Sequence, residues 1–186
     1  MDNRTILKLL NNKEYEELKK LILQEIAIKD SKDTNTAKGI LSLSKMVKKE
    51  MAKVRPALAG AFYNYNNTQI CNGYLAYIND NKLEGLETAP DYAEPPDFNK
   101  VIQWNEGVEV EFDRQELSKA VADKKIFMMQ DVGFNPIYVS KVAKCFNSES
   151  VKIKLINEAG QGRLLFIDED SRAVVLSLRK GATHYV

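Results

Sequence analysis

Apolar residues recur at helical spacing over residues 4–28, where Leu7, Leu10, Leu18, Leu21 and Ile22 align. The pattern predicts one helix, or two divided at Asn11-Asn12-Lys13. In the divided form Asn12 caps the second helix, with Tyr15, Leu18 and Ile22 on its inner face. We read this stretch as a packed helical arm rather than a free partner-binding helix. The polar run "KDSKDTNT" at 29–36 predicts a linker. A second helix is predicted over 36–53, "TAKGILSLSKMVKKEMAK". At 100° per residue, Ala37, Ile40, Leu43, Val47 and Met51 fall on one broad face, and Lys38, Lys45, Lys49 and Lys53 fall on the opposite one. Pro56 ends this helix, because it disfavours helix at the residue before it and lacks a backbone donor.

The period then changes. "ALAGAFYNYNN" and "TQICNGYLAYIND" read as two strands joined by a turn at "YNNTQ". The tract "LEGLETAPDYAEPPDFNK" at 83–100 is rich in proline and acid, and predicts a mobile surface loop. "VEVEF" at 108–112 alternates as a strand does. Asp113 then caps a short helix, with Glu116 three residues on completing a capping box. "KIFMMQDVGF" reads as one further strand. Asn135 caps a helix over 136–146 with Pro136 at its first position, where the missing donor costs nothing. Val139, Val142, Ala143 and Phe146 form the apolar face of that helix, and Lys141 and Lys144 stand opposite. Three strands, "VKIKLIN", "GRLLFID" and "RAVVLSLR", close the pattern with turns at "EAGQG" and "EDS". The predicted fold class is α+β: an antiparallel sheet with helices on one face. The predicted division is an N-terminal helical arm and linker over 1–33, and one domain over 34–186.

The chain's 186 residues and 44% apolar content fit that division, and its net charge of +1 conceals a segregation. Between Thr34 and Arg55 six basic residues (Lys38, Lys45, Lys48, Lys49, Lys53, Arg55) face one acid, Glu50, whereas between Asp80 and Asp123 twelve acids face four basic residues. One electropositive and one acidic surface are expected.

Catalytic chemistry finds little support. The single histidine, His184, lies two residues from the last position, and Cys71 and Cys145 lack metal-ligand spacing. Glu109 and Glu111 share a strand face and read as solvated acids. "GQGR" at 160–163 reads as a hairpin turn rather than a phosphate loop. No catalytic residue, metal or cofactor is expected. Cys145 reads as a small buried apolar side chain. Tyr63 and Tyr65 share a strand face that could stack unpaired bases, although packing is the more common role. The acids among the first apolar residues argue against a signal peptide, and no apolar run approaches a membrane span. A cytoplasmic protein with reduced cysteines is the expectation.

Three stretches, in their order, resemble a known family. "VGFNPIYVSKVAKCFNSESVKIKLI" starts a helix at Gly133-Phe134-Asn135 and runs into a strand. "RAVVLSLR" forms a last strand. "VRPALAGAFYNYNNTQICNGYLAYI" carries Arg55, Pro56, Leu58 and Gly60, followed by "CNGYLA". Together they resemble the bacterial DNA sliding clamp, the β subunit of DNA polymerase III. Ser177 stands where that family has a proline, and "CNGYLA" lacks the family's arginine. "PPDFNKVI" at 95–102 resembles the linker between clamp domains, and "VEVEFDRQELSKAV" the start of the next one. The likeness touches about half the chain, from residue 36 onward.

The resemblance implies a clamp-like domain of antiparallel strands and two helices that faces DNA. It implies a non-catalytic role in replication or repair: holding DNA by its phosphates without sequence specificity, or scaffolding other proteins. Lys38, Lys45, Lys49, Lys53, Lys141 and Lys144 are then the expected DNA-binding residues, because lysine acts as a hydrated point charge toward phosphates. A hydrophobic peptide pocket for replication proteins would use Gly73, Tyr74, Leu75, Val175, Leu176 and Leu178. The family closes rings from three-domain subunits, so a ring built from this chain would require a homo-oligomer of six copies. The alternative is a protein-interaction module with the same fold and no DNA role.

Overall fold

A computed structural model describes residues 15–30, 34–64, 67–83, 85–91, 93–94, 97–98, 102, 104–146, 150–158 and 161–179. The run at 4–14 with its Asn12 cap, and Tyr65 and His184, lie outside these residues. Four helices are described: α1 (Tyr15–Asp30), α2 (Thr34–Val54), α3 (Arg114–Ala122) and α4 (Pro136–Ala143). Nine strands accompany them: β1 (Ala61–Asn64), β2 (Asn67–Cys71), β3 (Leu75–Asn79), β4 (Val108–Glu109), β5 (Phe127–Met129), β6 (Val132–Phe134), β7 (Lys152–Glu158), β8 (Gln161–Ile167) and β9 (Ser171–Leu176). Seven strands form one sheet in the order β1-β2-β3-β9-β8-β7-β4, antiparallel throughout, and β5-β6 is a separate hairpin. The fold class is α+β, as the hydrophobic pattern predicts.

Strand alternation divides the core into two layers. Ile70, Leu75, Tyr77, Leu155, Leu164, Phe166, Ala173 and Val175 point to one face. There they meet Ile40, Leu43, Val47 and Met51 of α2, Leu117 of α3, and Val139, Val142 and Ala143 of α4. Phe62, Cys71, Ala76, Ile156, Leu165 and Val174 point to the other face. Each fully buried aliphatic or aromatic side chain contributes about 1.5–3 kcal/mol relative to exposure. Because both faces are covered, the strand centres read as continuous apolar runs, "LLFI" and "AVVL", rather than as strict alternation.

The second face is covered by the acidic tract. Its apolar residues Ala89, Ala93 and Phe98, with Ile102 and Trp104 just after it, pack against the back of the sheet, so the tract is a packed layer rather than a loop free at the surface. On its way it closes an edge of the sheet. Ala61 donates to the Glu87 carbonyl (2.7 Å), and Ala89 donates to the Ala61 carbonyl (2.9 Å). The β1 edge is thereby paired at Ala61. The sequence pattern hid this role because the apolar residues are interspersed with acids and prolines.

Two predicted strands are hairpins. "TQICNGYLAYIND" turns between β2 and β3 at Gly73-Tyr74, where Gly73 takes φ +88°. Asn72 Oδ1 accepts the backbone N–H groups of Tyr74 and Leu75, both at 2.9 Å. "KIFMMQDVGF" turns between β5 and β6 at Gln130-Asp131, with Gln130 at φ +52°. The strand predicted over 108–112 shortens to Val108–Glu109, with one further bond from the Val110 N–H to the Ile153 carbonyl (3.0 Å). The strand predicted from Ala57 begins as a single 3-10 turn, Pro56–Leu58.

Asp113 and Asn135 cap their helices as predicted, although no reciprocal bond from the Asp113 N–H to Glu116 forms among the described residues. Asp113 Oδ1 accepts from the N–H groups of Gln115 (2.7 Å) and Glu116 (3.2 Å). Asn135 Oδ1 accepts from Ile137 N–H at 3.0 Å. The predicted linker at 29–36 shortens, since α1 runs to Asp30 and α2 begins at Thr34. Helix α1 packs on α2 and on the tract. Leu18 is buried, Gln24 Nε2 donates to the Gly85 carbonyl (2.8 Å), and Glu87 pairs with both Lys20 and Lys48.

Candidate nucleic-acid interface

Helix α2 sits at the centre of the helical layer, with α1 on one flank and α4 on the other. Three contacts set the α2–α4 crossing. Gly39 meets the backbone of Lys144 so closely that a Cβ there would lie 2.1 Å from the Lys144 carbonyl oxygen. Lys141 Nζ donates to Ser42 Oγ at 2.7 Å. Tyr138 Oη donates to Glu50 Oε2 at 3.3 Å. Rising numbers on α2 thus meet falling numbers on α4, so the two helices lie side by side and antiparallel on one face of the sheet.

This crossing brings the predicted lysines into one region. Lys38, Lys45, Lys49 and Lys53 project from the exposed side of α2, and Lys144 is exposed at the C-terminal cap of α4. Lys141 is half-buried in the groove between the helices, where Ser42 holds its ammonium beside the α2 row. None of the six forms an ion pair among the described residues. The neighbouring Lys48 does, with Glu87. Glu50, the one acid of α2, is occupied elsewhere: besides Tyr138, Asn72 Nδ2 donates to it at 2.9 Å. Six lysines against the single Glu50 carboxylate of α2 leave a net positive ridge.

The six residues predicted for a peptide pocket lie on both faces of the sheet, although Leu176 N–H donates to the Tyr74 carbonyl at 2.8 Å. Leu75 and Val175 are cross-strand partners buried in the core that faces the helices. Alternation turns Leu176, partly exposed, to the opposite face. Leu178 N–H donates to the Gly133 carbonyl at 2.8 Å. Gly73 and Tyr74 form the exposed β2–β3 turn, where the Tyr74 ring stacks on Tyr138 with centroids 6.2 Å apart and planes 17° from parallel.

Other candidates resolve as structural. Tyr63 Oη donates to the Leu83 carbonyl (2.7 Å), and its ring lies under the Lys82 ammonium. Glu109 and Glu111 are exposed beside a cavity of about 350 Å³ that Glu116, Met128 and Met129 also line. Among the described residues no cluster of three or more His, Cys, Asp or Glu side chains could hold a metal. No described helix is long and apolar enough to cross a membrane.

Burial raises four acidic groups, among them the Tyr77 hydroxyl, which is lifted well above the ordinary phenol range. The Cys71 thiol is pushed up from 9.0 to about 11, chiefly by desolvation. Burial and the Glu50 carboxylate push the Tyr138 hydroxyl from 10.0 to about 12. Burial lifts Cys145 well above the ordinary thiol range, and its thiol donates to the Lys141 carbonyl at 3.4 Å. A folded-state value above the unfolded one means that the unfolded chain releases its proton first. The stabilisation is therefore complete below pH 9.0 and is lost as pH rises toward about 11 for Cys71, and between 10.0 and about 12 for Tyr138. Urea midpoints should fall between about pH 8 and about pH 10.5, and fall less in Cys71→Ala. A midpoint constant over that range would contradict the assignment.

Comparisons with known proteins give one likeness. No protein-family model and no curated protein matches the chain. Among solved structures it is similar to the crystal structure of the β subunit from DNA polymerase of Streptococcus pyogenes, at 12% identity and a TM-score of 0.22. The match covers 75% of this chain and 30% of that one.

Proposed function

We propose that the ridge on α2 and α4 holds duplex DNA through its phosphates, without reading bases, in a non-catalytic replication or repair role. The observation that carries this reading is the convergence of Lys38, Lys45, Lys49, Lys53, Lys141 and Lys144 along two adjacent helices, with Glu50 the one acid on α2. A row of ammonium groups suits phosphates rather than base edges, because lysine is a flexible point charge.

Association through such contacts releases counterions, so affinity falls linearly in log–log form with salt. Six contacts correspond to a slope of about −5. Fluorescence anisotropy on two duplexes of unrelated sequence should give the same steep salt dependence for both. Absence of binding at low salt would refute the reading and favour an interaction module without a DNA role.

A further inference from the structure

At the C-terminal end of α2 the ridge meets an aromatic feature that phosphate binding does not use. Tyr74, at the tip of the β2–β3 turn, is 59% exposed although one face of its ring rests on Tyr138. The ring is held from below by a chain of fixed groups. Asn72 shapes the turn with its Oδ1 and donates from its Nδ2 to Glu50, and Glu50 in turn accepts the Tyr138 hydroxyl. Arg55 closes one side: its Nη1 would stand 2.8 Å from any Cβ at Gly73. Lys49 and Lys53 are exposed on the last turns of the same helix. A ring supported on one face and exposed on the other, at the end of α2 that carries Lys49, Lys53 and the adjoining Arg55, is complementary to a nucleobase whose phosphates reach those cations.

We propose that Tyr74 is a stacking platform for an unpaired base, so that the protein prefers DNA with a single-stranded segment beside the duplex. This rests on the reading of the lysine ridge above. A duplex base has no free face to offer, whereas every unpaired base does, so the platform discriminates strandedness rather than sequence. Charge complementarity favours nucleic acid over a peptide here, since Arg55 stands beside the turn and the exposed Lys49 and Lys53 lie on the last turns of α2, three cations against the single Glu50 carboxylate.

The test uses the full chain with oligo(dT), a blunt duplex, and the same duplex with a single-stranded tail. Tyr74→Ala should weaken oligo(dT) and the tailed duplex roughly ten-fold while leaving the blunt duplex unchanged. Tyr74→Phe and Tyr74→Trp should bind like the wild type, because the ring and not the hydroxyl carries the contact. In the wild type, ring-proton NMR signals of Tyr74 should move upfield on adding oligo(dT), a readout independent of how any variant folds. Wild-type binding to the blunt duplex together with an unchanged Tyr74→Ala titration on oligo(dT) overturns the platform and leaves the ridge standing. Absence of binding to all three probes overturns both. Tyr74 shifts produced by a hydrophobic peptide and not by oligo(dT) also overturn the platform.

Discussion

Reversing Lys45, Lys49 and Lys141 to glutamate is expected to abolish duplex binding at salt concentrations where the wild type binds. Each reversal changes local charge by two units, so the triple variant shifts the ridge by about six, against a phosphate array that supplies most of non-specific affinity. The choice of residues follows the geometry. Lys45 and Lys49 are exposed mid-ridge, and Lys141 contributes from the other helix through its bond to Ser42. Reversal of Lys82, Lys124 and Lys152, which lie off both helices, is the matched control and should lower affinity far less. Equal losses in the two variants would mean that net charge alone drives association and that the ridge has no special role.

Gly39→Ala should produce the largest loss of stability from the smallest change. At an exposed helix site the same substitution stabilises by about 1 kcal/mol. Here the sign reverses, because the new methyl would stand 2.1 Å from the Lys144 carbonyl oxygen, 2.5 Å from its carbon and 3.0 Å from the Cys145 nitrogen. All three are backbone atoms, so no side-chain rotation relieves the overlap and the helices must move apart. Overpacking of this kind costs about 1–3 kcal/mol, and more where the backbone is rigid. Thermal unfolding followed by circular dichroism should show a lower midpoint. Separation of the helices would also break the Lys141–Ser42 bond, so duplex affinity should fall in the same variant. A Gly39→Ala protein that melts at or above the wild-type temperature would disprove the close crossing.

The local elements were legible where a single residue type announces them. Asp113 and Asn135 mark their helix starts, Pro56 marks the end of α2, and the apolar and lysine faces of α2 and α4 follow from periodicity. Features that depend on another part of the chain were harder to read. The Asn72-Gly73 pair is a strong hairpin signal, yet it sits inside an apolar run that looked like one strand because β2 and β3 are buried on both faces. The β5–β6 turn has no such marker, since Gln130 adopts a positive φ without glycine. Gly39, isolated in an otherwise regular helix, was the one sequence signal for the crossing. That α2 and α4 touch, and that Tyr138 supports Tyr74, are tertiary facts no spacing encodes. The peptide-pocket residues illustrate the converse: adjacency in β3 and β9 places alternate side chains on opposite faces, so neighbours in sequence do not share a surface.

The positions of the two native cysteines make the chain ready for spectroscopy. Cys71 lies behind the sheet and Cys145 under the helices, both shielded and held protonated. Neither should react with maleimide at neutral pH. A single thiol introduced at Lys53 or Val54 could therefore be tagged with a dye in the otherwise unaltered protein, and its distance to a labelled oligonucleotide followed one molecule at a time.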